Sequence, residues 1–374
     1  MKYVALFSAI LFSLALPAQI TIPKLPSSPK QIVVDSRDNV IVHLYMGRVM
    51  KITPDGKASY ITEDIRKGKT NPYPSCDAMA IDAKDNIYMA GGELIWKMTP
   101  TGEVSLFAGI PYKYEAVDGP LNAAQFRSIE CIEIDAKGNI YVAEKDDRGN
   151  FYLIRKIGTD GMVTTLANTK KNDELKTKWI AGMGVDSVGN IYLSDGNGRC
   201  IKKLGTDGKI ITMAGLCNKR EFLPVYVQGD ISKAELMAPD DILINKKGEI
   251  IFTDNRLHRI IKIANNKVTT IAGNGVIQSN SVNMGGRAME GYKDGKALTA
   301  LFNFPLGCDM AIDSKQNIYV IDGGNHKSEK LFDFDVPFAR YSPKCTADPS
   351  HKNSFPPIKN LKIKPDDPNY SHNM

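Results

Sequence analysis

The chain is all-β by sequence and predicts a six-bladed β-propeller built from four-stranded antiparallel blades. Three observations lead there. A segment of about thirty residues recurs six times, each copy splits into four short strand patterns, and length variation is confined to one kind of connection.

The clearest copy is Met183 to Gly215, MGVDSVGNIYLSDGNGRCIKKLGTDGKIITMAG. Its apolar, β-branched and aromatic runs read as four strands. Asp186-Ser-Val-Gly-Asn joins the first two and Thr206-Asp-Gly the last two, both tight-turn chemistry in which Gly and Asn accept positive φ. The other copies occupy 32–61, 79–109, 132–167, 242–273 and a truncated 310–335. Their anchor residues are Asp35, Asp82, Asp135, Asp186, Asn245 and Asp313, spaced 47, 53, 51, 59 and 68 residues apart. That period, with four strands per unit, fits a propeller better than a solenoid.

The runs Asp135 to Ala143 and Asp186 to Asp195, the steps Asn325-His326-Lys327 and Leu257-His258-Arg259, and the lead-ins DGPLNAAQF (118–126) and DGKALTALF (294–302) make the chain resemble the NHL-repeat propellers over roughly residues 30 to 335. The resemblance implies a fold rather than an activity, since that fold hosts unrelated functions.

Three segments follow. Residues 1–18 read as a signal peptide, with Lys2 as a positive start, Val4 to Leu16 as the apolar core and Pro17-Ala18 before Gln19. Residues 19–341 form the propeller, and 342–374, rich in Pro, Lys and Asn, form an extended or disordered tail. The expected chain is exported to the periplasm, cell surface or medium, with no membrane span once the signal is removed. The net charge of +6 is too mild to suggest nucleic acid as a partner. Because the sixth repeat lacks a clear fourth strand, Ile20 to Ile22 is the expected closing strand, with Pro337 to Tyr341 as the alternative.

The first-to-second and third-to-fourth turns stay short, whereas the connections between repeats (62–75, 110–128, 168–179, 216–238 and 274–307) are long and varied. With the second-to-third loops they emerge on one face of a propeller, the expected binding side for a protein or glycan. Lys and Arg recur there (Arg66, Lys67, Lys69, Lys170, Lys171, Lys176, Lys178, Lys219, Arg220), either as a solvated surface or as a site for an acidic glycan or other anionic partner.

Six cysteines permit fifteen full pairings. Their positions suggest Cys200–Cys217 within one blade, Cys76–Cys131 before neighbouring first strands, and Cys308–Cys345 to the tail; buried free thiols are the alternative.

The chemistry-bearing candidates stand four and five residues before the anchors, where first strands enter the channel: Asp77, Glu130, Asp240, Asp241 and Asp309. Converging carboxylates favour a bound divalent cation such as calcium; alternatively they hydrogen-bond turn amides and water. No histidine triad is visible, since His258 and His326 sit at second-to-third corners, His43 lies in a strand, and His351 and His372 are in the tail. Nor is there the E-G-P segment that gluconolactonase-like propellers place before a first strand. The sequence therefore favours a non-enzymatic binding scaffold, with a metal-dependent hydrolase or lyase at the acidic mouth as the alternative.

Overall fold

A computed structural model of the chain describes residues 29–69, 72–145, 152–170, 177, 179–215, 217, 226–274, 296–304, 308–322 and 338–341. The expectations placed on 1–18, Ile20 to Ile22, His326 and the tail with Cys345 lie outside the described residues, as do Lys171, Lys176, Lys178, Lys219 and Arg220.

The described strands make a β-propeller of antiparallel blades. Blade 1 is β1 (Pro29–Val34), β2 (Val40–Leu44), β3 (Arg48–Ile52) and β4 (Ala58–Thr62), and blade 2 is β5 (Ala78–Ile81), β6 (Ile87–Gly91), β7 (Leu94–Met98) and β8 (Val104–Ala108). A two-residue strand, β9 (Gly119–Pro120), precedes blade 3, which is β10 (Ser128–Ile134), β11 (Ile140–Lys145), β12 (Tyr152–Ile157) and β13 (Met162–Asn168). Blade 4 is β14 (Ile180–Val185), β15 (Ile191–Asp195), β16 (Cys200–Leu204) and β17 (Ile210–Gly215). Another short strand, β18 (Gly229–Asp230), precedes β19 (Pro239–Ile244), β20 (Ile250–Asp254), β21 (Arg259–Ala264) and β22 (Lys267–Ala272) of blade 5. In blades 3 and 5 the lead-in returns as a fifth strand, β9 on β13 and β18 on β22, so their outer edges are covered. Five meanders are thus complete.

A sixth sheet holds β23 (Met310–Ile312), β24 (Ile318–Ile321) and β25 (Phe338–Tyr341). Here β25 runs parallel to β24, pairing Ile318 with Phe338, so this stretch joins the sixth sheet in an orientation that a continuing meander would not give.

Each repeat begins in the same way because its anchor aspartate organises the first turn. Asp135 Oδ1 accepts from the Lys137 and Asn139 amides at 2.9 Å, while Oδ2 accepts from Asn139 Nδ2 at 2.7 Å and from the Tyr141 hydroxyl at 3.1 Å. Asp82, Asp186 and Asp313 repeat the arrangement, tyrosine included. In blade 5 the polarity is exchanged: Asn245 Nδ2 donates to Glu249 Oε2 at 2.7 Å, and Lys262 balances the glutamate at 3.1 Å. One carboxylate and one amide persist, only in opposite places.

Six apolar clusters lie between adjacent sheets. One joins Ile32, Val42 and Leu44 of blade 1 to Ala311, Tyr319 and Ile321 of the sixth sheet, so the last sheet packs on the first. The clusters also correct the expected cysteine pairing. Cys76 is buried between blades 1 and 2, Cys131 between blades 3 and 4, and Cys308 between blades 5 and 6. All three are free thiols. Cys76 and Cys131 lie in different cores and are not bonded, and Cys308 is free, its Sγ donating to the Ile321 carbonyl at 3.1 Å, so the expected bridge to Cys345 is not made. Cys200 and Cys217 do form a disulfide across 17 residues.

Candidate functional site

The first strand of each sheet is innermost, and together these strands enclose a cavity of about 420 Å³. That is within the usual size range of small-molecule sites. All five carboxylates singled out in the sequence line it, and Glu133 is a sixth.

A recurring irregularity explains why positions four and five residues before the anchor both reach the cavity. The pairing of first and second strands slips at the strand entrance in four blades, between Pro29 and Gln31, Ile129 and Cys131, Ile180 and Gly182, and Pro239 and Ile242. A bulge here leaves the extra residue unpaired and re-aims its side chain. Glu130 occupies that place in blade 3 and the Asp240-Asp241 pair in blade 5. Close approach of two inner strands adds to the effect: a Cβ on Gly182 would lie 2.5 Å from the Asp240 carbonyl oxygen, so glycine lets β19 press against β14.

The acids differ in what they do. Asp77 is exposed at the entrance. Glu130 is half-buried, paired with Lys145 Nζ at 2.7 Å and accepting from the Ser128 hydroxyl at 3.2 Å. Asp240, fully buried, accepts from the Cys308 amide at 3.3 Å and from Asn255 Nδ2 at 3.4 Å.

Asp241 and Asp309 staple consecutive sheets. Asp241 Oδ2 accepts from the Met310 amide at 2.7 Å, and Asp309 Oδ2 accepts from the Ile32 amide at 2.6 Å. The two carboxyls also touch one another. Enclosure by the channel walls pushes Asp241 up to about 6, against the pull of backbone donors, and burial followed by the Asp241 charge holds Asp309 well above the usual carboxylate range. Two acids so placed disfavour being ionised together. Glu133 is likewise raised well above its ordinary value, by burial first and Asp241 second.

Among the described residues, no three His, Cys, Asp or Glu side chains converge as a metal-holding group. The cavity brings the five expected residues into one chamber, but they are spread around its wall.

Sequence reasoning missed Glu133 and Trp179, which also lines the cavity. The signal for Glu133 was present: two residues before each anchor stand Val33, Ala80, Glu133, Gly184, Leu243 and Ala311, and one acid in an otherwise uncharged column is conspicuous. His258 has a structural position, its Nδ1 accepting from the Phe304 amide at 3.0 Å and linking blade 5 to the lead-in of the sixth sheet. The thiols are pushed well above their ordinary range by burial, which makes them inert as nucleophiles.

No protein-family model matches the sequence, and no curated protein matches it either. Solved structures do. An auxiliary nutrient binding protein from Bacteroides thetaiotaomicron superposes with a TM-score of 0.53 at 13% identity, covering 77% of this chain and 65% of that one. Another from Bacteroides ovatus gives 0.51 at 15% identity, covering 79% and 66%. A gluconolactonase from Xanthomonas campestris gives 0.50 at 11% identity, covering 80% and 84%. This chain therefore spans about two thirds of the length of the two Bacteroides proteins. At such identities the likeness is one of architecture, and it agrees with the sheets described above: the chain is an all-β propeller of four-stranded antiparallel blades.

Proposed function

We propose that this chain is an exported NHL-type propeller that serves as a binding scaffold, holding a glycan or protein on the face formed by its long connections and channel mouth. The observation that carries the reading is the distribution of exposed aromatics. Tyr45, Tyr73, Tyr112 and Tyr114 are each more than half exposed, and all four lie in second-to-third corners or inter-blade connections. Exposed tyrosines gathered on one face offer contact area at low entropic cost. The two structural neighbours named for nutrient binding, and a disulfide that suits an oxidising compartment, support the same reading.

The test is to block one face at a time. Tyr73→Cys places a label on the loop face and Lys209→Cys places one on the opposite face, at a third-to-fourth turn. Because the described native free thiols are buried, a bulky maleimide reports on the new site. Loss of ligand binding with the first label and retention with the second is expected, and the reverse pattern overturns the proposal.

A second reading, a hydrolase or lyase using a divalent cation such as calcium at Asp77, Glu130, Asp240, Asp241 and Asp309, draws on the contact between the two cavity acids Asp241 and Asp309. Metal content of the purified protein and calcium-dependent melting test it. A melt unmoved by calcium, and by Asp77→Asn with Asp240→Asn, removes it.

A further inference from the structure

We propose that the outer rim of blade 2 docks an extended segment of a partner protein, one in which an acidic residue is followed by glycine, as an added strand on β8. The chain itself shows what such an edge takes, at two other blades. The inference does not rest on the loop-face reading.

In blades 3 and 5 the fifth strands lie on equivalent residues. β9 sets Gly119 opposite Val163, and β18 sets Gly229 opposite Val268. Both glycines have positive φ, 146° and 120°, a conformation that strains any other residue. The residue before each glycine turns its side chain onto the same outer-strand amide: the Thr165 amide donates to Asp118 Oδ2 at 2.9 Å, and the Thr270 amide to Gln228 Oε1 at 3.2 Å. Such an edge therefore selects an extended backbone, an acceptor side chain and a glycine after it.

Register gives β8 the same edge. Val104 faces Met98 as Val163 faces Ile157 and Val268 faces Ile263, and Leu106 faces Trp96 as Thr165 faces Arg155 and Thr270 faces Ile261. Among the described strands β7 alone pairs with β8, so the sheet ends there. The connection 62–75 that enters blade 2 is shorter than 110–128 and 216–238, which supply β9 and β18. Beside β8 lies a groove of about 500 Å³, walled by residues of that connection and by Thr99 and Gly102 to Ser105. Where Leu121 touches Gly161 in blade 3, the Ile61 carbonyl of blade 1 stands against Gly102, 2.8 Å from where a Cβ would be, and closes that end of the groove. An uncovered strand edge presents amides and carbonyls to any chain that can pair with it, and strand addition is a recurrent mode of peptide recognition.

Charge decides which acceptor. Four charged residues line the groove: Asp64, Lys67, Lys69 and Glu103. Asp64 is bound to Arg66 at 2.8 Å, whereas Lys67 and Lys69 make no ion pair among the described residues, which leaves two cations against the single carboxylate of Glu103. A carboxylate is thus favoured over an amide as the side chain offered to the Leu106 amide. Glu103 stands at the place of Lys267, which faces Asp230, so an acid directly after the glycine would meet like charge.

The test is fluorescence anisotropy of the full chain with a labelled peptide Ala-Val-Asp-Gly-Pro, the sequence of residues 116–120. Saturable binding that weakens as salt rises is expected. Replacing the peptide's glycine by alanine should cost about tenfold or more in affinity, and replacing its aspartate by lysine should abolish binding. In the chain, Leu106→Pro removes one edge amide from a partly exposed residue, and Lys67→Ala/Lys69→Ala removes the groove's positive charge. Each should weaken the peptide, with circular dichroism and melting as controls for folding. Failure of the parent peptide to bind, binding indifferent to its glycine, or binding unmoved by both chain variants overturns the inference. Sedimentation velocity completes the test: a dimer that Leu106→Pro dissociates would assign the edge to a second copy of this chain and overturn the partner-protein assignment.

Discussion

Ser314 is bound to Asp38 across 276 residues of sequence: its amide donates to Oδ1 at 2.9 Å and its hydroxyl to Oδ2 at 2.8 Å. The same latch joins Ser36 to Asp85, at 2.8 and 2.9 Å. In both, the residue after one sheet's anchor grips an aspartate three residues after the next sheet's anchor. The latches flank blade 1, where the last sheet meets the first. At the equivalent place blades 3, 4 and 5 have Gly138, Gly189 and Gly248, all with positive φ, and Asp38 shares that conformation at 61°.

Asp38→Gly therefore removes the latch without straining the backbone. Burial raises the Asp38 carboxyl, and the amide and hydroxyl of Ser314 more than offset it, leaving it below its usual value. Charge-assisted bonds near solvent are modest, so a loss of about 1 kcal/mol is expected in urea denaturation. No change in midpoint would mean that the latch contributes nothing to holding the sheets together.

His43 should make the fold acid-sensitive before its carboxylates do. It is buried in β2, and burial followed by the charge of Lys30 lowers it to about 4. A depressed histidine contributes stability that is complete above the unfolded value near 6.5 and is lost as pH falls toward 4. The loss is about 3 kcal/mol over that window. His43→Leu should flatten the stability profile between pH 6.5 and 4, and an unaltered profile would refute the assignment.

The Asp241–Asp309 pair acts with the opposite sign. A carboxyl raised on folding is most favourable below its unfolded value, and stability is lost as pH rises through the folded one, here from about 4 to 6 and beyond. Asp309→Asn retains an oxygen acceptor for the Ile32 amide and removes one charge. The variant should match wild type at pH 4 and melt higher at pH 8. A lower melt at pH 8 would show that the charge itself is needed.

Arg155 is wholly buried in blade 3, donating to Glu144 and Asp118 at 2.9 Å and to the Gln125 and Val117 carbonyls at 2.8 Å. Arg155→Met leaves Glu144 buried without its charge partner and should cost roughly 3–5 kcal/mol. Adding Glu144→Leu should recover part of that loss. A double variant no better than the single would place the cost in the carbonyls instead.

The blades were legible because an aspartate, a turn and an apolar strand recur at short range, and short-range chemistry is written contiguously. Even the exchanged pair Asn245 and Glu249 kept its spacing. The channel acids were legible as positions, since bulges recur where first strands begin. Their employment was not: Asp241 and Asp309 are bound to Met310 and Ile32, amides set beside them only by packing of one sheet against the next. The cysteines divide along the same line. Cys200 and Cys217 are neighbours in one hairpin, whereas the orientation of Cys76 and Cys131 depends on which side of a strand meets which neighbouring sheet.

The three dry thiols bear on how the chain acquires its covalent structure. Were the chain exported as proposed, its unfolded form would offer six cysteines to an oxidising compartment, whereas the native fold bonds Cys200 to Cys217 and leaves Cys76, Cys131 and Cys308 as buried free thiols. The native bond closes a loop of 17 residues, so its ends meet readily in the unfolded chain. The others escape oxidation only after their sheets have docked. The yield of correctly bonded protein should thus be set by a race between sheet docking and oxidant, and a slowly assembling variant should accumulate mispaired species even where its final stability is unimpaired.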